Sequence, residues 1–167
     1  MEPSWWKWAG IAAHMALSTA LVGYLTGTAG IGALTDKSSK ALMQWYEIRN
    51  PRPDPPPDKL AEFPELVKRV AAGDRGCSSG EAIELSPEAA IQLKRLHSIR
   101  NGFNHFRDQG WSIEIAYVLP PLRVAVNLVE QVATNGWAFR HADEATRRKI
   151  AGHTSHIRQK LAEFGQL

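Results

Sequence analysis

The segment Arg100-Asn101-Gly102-Phe103-Asn104-His105 places an arginine, two amides and a histidine within six residues. An arginine keeps its charge across the physiological range and presents a planar fork of donors that suits a phosphate or a carboxylate. A histidine titrates near neutrality and can both take and give a proton. Together they could hold a crowded phosphate by a fixed positive charge while protons move to and from its oxygens, with no metal required. An Arg/His pair at this spacing also arises by chance, so the pattern by itself specifies no reaction.

These residues need a helix to position them. Ser86-Pro87 is a strong start signal, with Ser as N-cap and Pro at the first helical position. The helix is expected to run to about Arg107, before Asp108-Gln109-Gly110. At about 100° per residue, Ala89, Leu93, Leu96 and Phe103 share one face, with Ile99 and Phe106 further round. Arg100 falls inside that face, between Leu93 and Leu96. A guanidinium there needs a partner or a cleft, because burying it alone is costly. A structural ion pair and a functional cleft explain its position equally well. His105 lies five residues on, about 140° round a regular helix, so the two side chains do not meet on an undisturbed one. Either Gly102 permits a bend, or the two residues serve a site shared between two subunits.

The stretch Leu96-His97-Ser98-Ile99-Arg100-Asn101-Gly102-Phe103-Asn104-His105-Phe106 resembles the catalytic segment of the HEPN families. Their motif is an Arg, four to six residues, then a His, with a polar residue, often Asn, directly after the Arg. Gly110-Trp111-Ser112-Ile113-Glu114, and Trp6-Lys7-Trp8 with Ile11-Ala12-Ala13-His14, are similar to stretches of uncharacterised bacterial HEPN-like proteins. The resemblance is specific over about thirty residues and loose elsewhere. It implies an all-α, HEPN-like bundle of about five to six helices that dimerises near the motif helix, two copies building one RNA cleft. It also implies a cytoplasmic, metal-independent endoribonuclease that needs no cofactor and acts as a bacterial toxin or anti-phage defence effector. In that chemistry the RNA 2′-hydroxyl attacks the adjacent phosphate. Arg100 would stabilise the phosphate, His105 would move protons, and Asn101 would hold the His or the backbone in place. Arg95, His97, Asn104 and Arg107 are expected to line the substrate cleft, although Arg95 and His97 also suit ordinary solvated positions. The family context adds a protein antitoxin or inhibitor as a candidate partner. Some family toxins carry a Tyr two residues after the His, where a partner nucleotidyltransferase modifies it. Here that position is Arg107, which puts neutralisation by that route in doubt. Two other readings stand beside this one. One keeps the helical fold as an inactive module that binds RNA or protein, and the other is a membrane-anchored helical protein.

The anchored reading rests on residues 8–34, which contain no Lys, Arg, Asp or Glu. The stretch is long enough to span a bilayer, with Trp5, Trp6 and Trp8 at one end. Five glycines with His14, Ser18 and several threonines dilute its hydrophobicity, and no basic segment precedes a short apolar run as in a signal peptide. The central helix of a soluble bundle is therefore the expectation, with no stable membrane association. His14 in that helix reads as a buried, hydrogen-bonded core histidine that could link to the motif helix.

The remaining composition is that of one globular domain. The chain has 167 residues, 44% hydrophobic and 22% charged. A net charge of +3 and a pI near 9.2 permit a polyanionic partner without requiring one. A single cysteine, Cys77, precludes an intrachain disulfide. His141, His153 and His156 lack metal-site spacing, and the chain has no phosphate-binding glycine loop or nucleophile elbow. Arg140, Arg147, Arg148, Lys149, Arg158 and Lys160 make the C-terminal helix basic, as an RNA track or as a solvated face.

Further helices are expected from about Ser4 to Thr26, from Asp36 (as N-cap) to Arg49, and from near Leu60 or Pro64 to Ala72. In the second, Ser38, Ala41, Leu42, Trp45 and Ile48 would share a face. Five prolines between Pro51 and Asp58 form an extended connector, and residues 73–85 a loop. Alternation over Trp111–Ile115 predicts a short extended segment. Pro120-Pro121 would then start a helix ending at Asn135-Gly136. A last helix, from about Asp143 to Phe164, carries Ile150, Ile157, Leu161 and Phe164 as an apolar stripe.

Overall fold

The charge-free N-terminal stretch folds into a central helix, α1 (Ser4–Leu25), in the computed structural model. The structure describes residues 4–26, 30–49, 53–72, 82–104, 114–134, 139 and 142–164. These residues contain α1, α2 (Asp36–Glu47), α3 (Phe63–Ala72), α4 (Pro87–Asn104), α5 (Ile115–Thr134) and α6 (Glu144–Glu163). The protein is all-α, with one isolated antiparallel bridge, Leu34 to Leu60, among the described residues. The expected extended stretch at Trp111–Ile115 lies outside them up to Ile113, and Ile115 is already helical.

α1 packs on α3, α4 and α5, and α6 packs on α5. The C-terminal half of α1 supplies Leu17, Leu21, Tyr24 and Leu25 to the core, where Leu93, Leu96, Val118 and Val132 meet them. Full burial of each such side chain is worth about 1.5–3 kcal/mol, so this shared core holds the bundle together. Its segment Trp5–Leu25, 21 residues with a mean hydropathy of 1.3, is also long and apolar enough to cross a bilayer. Three neighbouring helices instead cover its inner face.

Two helix starts differ from the sequence expectation. The N-cap of α2 is Thr35, not Asp36: its Oγ1 accepts from the Ser38 amide at 3.3 Å. Asp36 sits in the first turn, where its charge favours the helix dipole. The second difference is α5, which begins at Ile115 and carries Pro120 and Pro121 inside it. Each proline forfeits an amide bond and crowds a carbonyl one turn back, a cost of about 3 kcal/mol in an ordinary helix interior. Here the upstream turn buries Val118 and Leu119, and that burial offsets the cost. The starts of α4 and α6 fall where the sequence places them. Ser86 Oγ accepts from the Ala89 amide at 3.1 Å, and Asp143 Oδ1 from the Thr146 amide at 2.7 Å. The latter bond holds the Asp143 carboxyl below its ordinary range.

α2 stands apart. Of its expected face only Leu42 is buried, in a small cluster with Ile31 and Leu34, while Ile48 is exposed. The connector returns the chain to the bundle: Trp45 Nε1 donates to the Pro53 carbonyl at 2.6 Å, and Ala61 N to the Ala33 carbonyl at 2.9 Å. Arg69 of α3 fastens the junction. Its guanidinium donates to the carbonyls of Gly32 (3.1 Å) and Leu34 (2.7 Å) and pairs with Asp36 (2.8 Å) and Glu65 (3.0 Å).

Candidate active site

α4 carries Arg100 and Asn101 at the edge of the face it turns toward α1. Leu93, Leu96 and Ile99 are buried, and Arg100, Asn101 and Phe103 are half-buried at their edge. The helices approach closely at Gly10, where a Cβ would just reach contact, 3.4 Å from Ile99 and 3.8 Å from Phe103. Lys7 Nζ sits 5.8 Å from the centre of the Phe103 ring. Gly102 does not end the helix, which continues to Asn104.

A directional chain of hydrogen bonds crosses from α4 to α1. Arg100 Nη1 donates to Asn101 Oδ1 at 2.9 Å. That bond fixes the amide orientation, so Asn101 Nδ2 donates to His97 Nε2 at 3.1 Å. His97 must therefore carry its proton on Nδ1, which donates to His14 Nε2 at 3.1 Å. His14 in turn carries its proton on Nδ1, facing Ser18 Oγ at 3.4 Å, and Ser18 donates to the His14 carbonyl at 2.7 Å. One permanently protonated group thus sets the tautomer of two imidazoles through an amide. Phe63 of α3 completes the packing, its ring centroid 4.3 Å from His14 and 5.5 Å from His97.

Both imidazoles are held neutral. Burial, then His97, then Arg100 push His14 down to about 4 from 6.5. Burial and Arg100 also lower His97, while Glu62 opposes them. A proton on either ring would face the Arg100 charge and leave the Asn101 or His97 donor without an acceptor.

The structure thus brings Arg100, Asn101 and His97 together, and adds His14, Ser18 and Phe63. His97 is not a solvated position. Its spacing of four from Asn101, like that of His14 from Ser18, puts each pair on one helical face. Those two spacings were the sequence signal for the chain. The partner that Arg100 needed is an amide, and no carboxylate pairs with it among the described residues. Arg95 belongs elsewhere, its guanidinium carbon 4.5 Å from the centre of the Tyr117 ring. His105, Arg107 and the Asn104 side chain lie outside the described residues, as do Cys77, Arg140 and His141. On α6, Arg148 pairs with Glu144, Arg158 with Glu130 and Lys160 with Glu163, so much of its charge is engaged within the fold.

Comparison with known proteins adds no name to this geometry: no family model, no curated protein and no solved structure matches the chain.

Proposed function

We propose that the chain is a HEPN-type, metal-independent endoribonuclease that works as a homodimer in the bacterial cytoplasm, as a toxin or defence effector. The observation that carries this reading is the fixed Arg100. A half-buried guanidinium, oriented through Asn101 and free of any carboxylate among the described residues, is a ready anchor for a phosphate. His105 takes the proton of the RNA 2′-hydroxyl as its oxygen bonds to phosphorus. The bond from phosphorus to the 5′-oxygen breaks, that oxygen gains a proton, and a 2′,3′-cyclic phosphate remains. His97, neutral and bonded at both nitrogens, positions Asn101 and takes no part in proton transfer. A second copy completes the cleft. The protein antitoxin or inhibitor expected from the resemblance belongs to the same reading.

The test is incubation of wild type, Arg100→Ala and His105→Ala with structured and unstructured RNAs in excess EDTA, followed by mapping of the termini. Cleavage by wild type alone, with cyclic phosphate ends, is the expected result. Cleavage at the wild-type rate by either variant refutes the roles assigned. A second reading, an inactive helical module that binds RNA or protein, draws on the same bonds. Asn101 and both nitrogens of His97 are engaged internally, as in a purely structural corner. Binding of RNA without cleavage, by folded wild type, would select it.

A further inference from the structure

On the side of α1 turned away from the motif lies an apolar groove of 660 Å³. α1 and α6 both pack along α5 and share no extended contact with each other among the described residues. They meet where Trp6 and Phe164 stack edge to face, with ring centroids 5.2 Å apart. α5 forms the floor with Leu122, Ala125 and Val126. One wall is the small-residue stripe Ala9, Ala12, Ala13 and Ala16 of α1, and the other is Ile150, Ile157 and Leu161 of α6. Trp5 and Trp8 stand on the α1 rim, each 62% exposed. Among the described residues, three helices thus line a groove of the kind that a further helix fills in a bundle. The alanine stripe lets another backbone approach closely, so an amphipathic helix fits the space better than a flat surface does.

The two rims differ in charge. Placed at about 100° per residue, Lys149, His153, His156 and Lys160 all fall along the groove edge of α6. Lys160 is bonded to Glu163, which lies further round the helix. The α1 rim, through Trp5, Trp8, Ala12, Met15 and Thr19, has no charge. A partner helix buried here would meet uncharged surface on one flank and, on the other, the Lys149 ammonium beside the Lys160–Glu163 pair.

We infer that the α1/α5/α6 groove binds an amphipathic helix of another protein, with leucine-like residues on its buried face and acidic residues along the flank that meets α6. This goes beyond the ribonuclease reading and stands without it, because the groove and Arg100 lie on opposite sides of α1.

The probe is a labelled synthetic helix of about 20 residues, leucines on one face and glutamates on the other, titrated with the full chain. A control peptide carries lysine for every glutamate. The glutamate peptide binds more tightly, on the order of tenfold at low ionic strength, and the gap narrows as salt is added. Ile157→Glu puts a carboxylate on the groove wall and weakens binding by roughly tenfold or more, with helical circular dichroism retained. Lys149→Glu with Lys160→Glu, both on the surface, removes or inverts the preference while the apolar wall stays intact. Equal affinity for the two peptides, or binding indifferent to Ile157→Glu, overturns the inference. So does failure of both peptides to bind, whatever else covers the groove. A concentration-dependent oligomer that Ile157→Glu dissociates would assign the face to a second copy. Capture by anionic vesicles that needs Ile157 would assign it to a bilayer.

Discussion

His14 should make the protein acid-labile from about pH 6.5 downward, before most carboxylates begin to titrate. Its pKa in the folded chain lies at about 4, against an ordinary value of 6.5. Folding therefore favours the neutral ring. The stability this contributes is fully present above about pH 6.5 and is lost as pH falls toward 4, because the unfolded chain takes up a proton that the folded chain refuses. The full difference corresponds to about 3 kcal/mol, of which about 2.5 kcal/mol is gone by about pH 4.5. His14→Phe removes the titrating group and keeps an aromatic ring between Phe63 and His97. It also strips the acceptor from His97 Nδ1, which costs about 1–3 kcal/mol at neutral pH. Urea unfolding of both proteins, followed by circular dichroism from pH 7.5 to 4.5, should show the wild type starting above the variant and losing that lead as pH falls. Losses from carboxylates such as Asp143 are common to both and cancel in the difference. Parallel pH profiles for the two proteins, or a His14 ring that titrates near 6.5 by NMR, would refute the argument.

Three further outcomes follow from the same contacts. Asn101→Leu removes the donor to His97 Nε2, so His97 should become a mixture of tautomers visible in its ring nitrogen shifts, while α4 remains helical. Arg69→Met leaves the Gly32 and Leu34 carbonyls without their donor and should destabilise the chain by about 2–4 kcal/mol in urea unfolding. Arg69→Lys should recover only part of this, since an ammonium lacks the planar fork. Gly10→Ala places its Cβ at ordinary contact distance from Ile99 and should raise stability by about 0.5–1 kcal/mol. Gly10→Leu has no room there, and should lower the melting temperature and disturb the Phe103 ring resonances.

The sequence carries local signals well. Ser86 and Asp143 cap their helices because a short oxygen side chain ahead of a helix bonds its first free amides wherever the rest of the chain lies. What remained hidden depends on tertiary contacts. Nothing near Pro120-Pro121 tells that the preceding turn will be buried deeply enough to stay helical. Arg69 looks like one more charge on a short helix, because its acceptors lie about 35 residues away in sequence. The Arg100 side chain was recognisable as needing a partner, but the nearest candidate, Asn101, was read as holding the histidine or the backbone. His97 looked solvated because its burial comes from Phe63 and His14, on two other helices.

The separation of α2 from the main core has a consequence for how the molecule breathes. Among the described residues its small cluster of Ile31, Leu34 and Leu42 stands apart from the large one, tied to it by Arg69, a few backbone bonds and the neighbouring Ala33. Such a lobe can detach at a free energy below that of global unfolding. Protection from solvent hydrogen exchange should therefore divide into two tiers, with α2 (Asp36–Glu47) in the lower one. After the connector the chain re-enters the main core at Ala61, two residues before Phe63, whose ring packs on both imidazoles. Loosening of α2 should therefore be felt first at the ring that packs on His14 and His97.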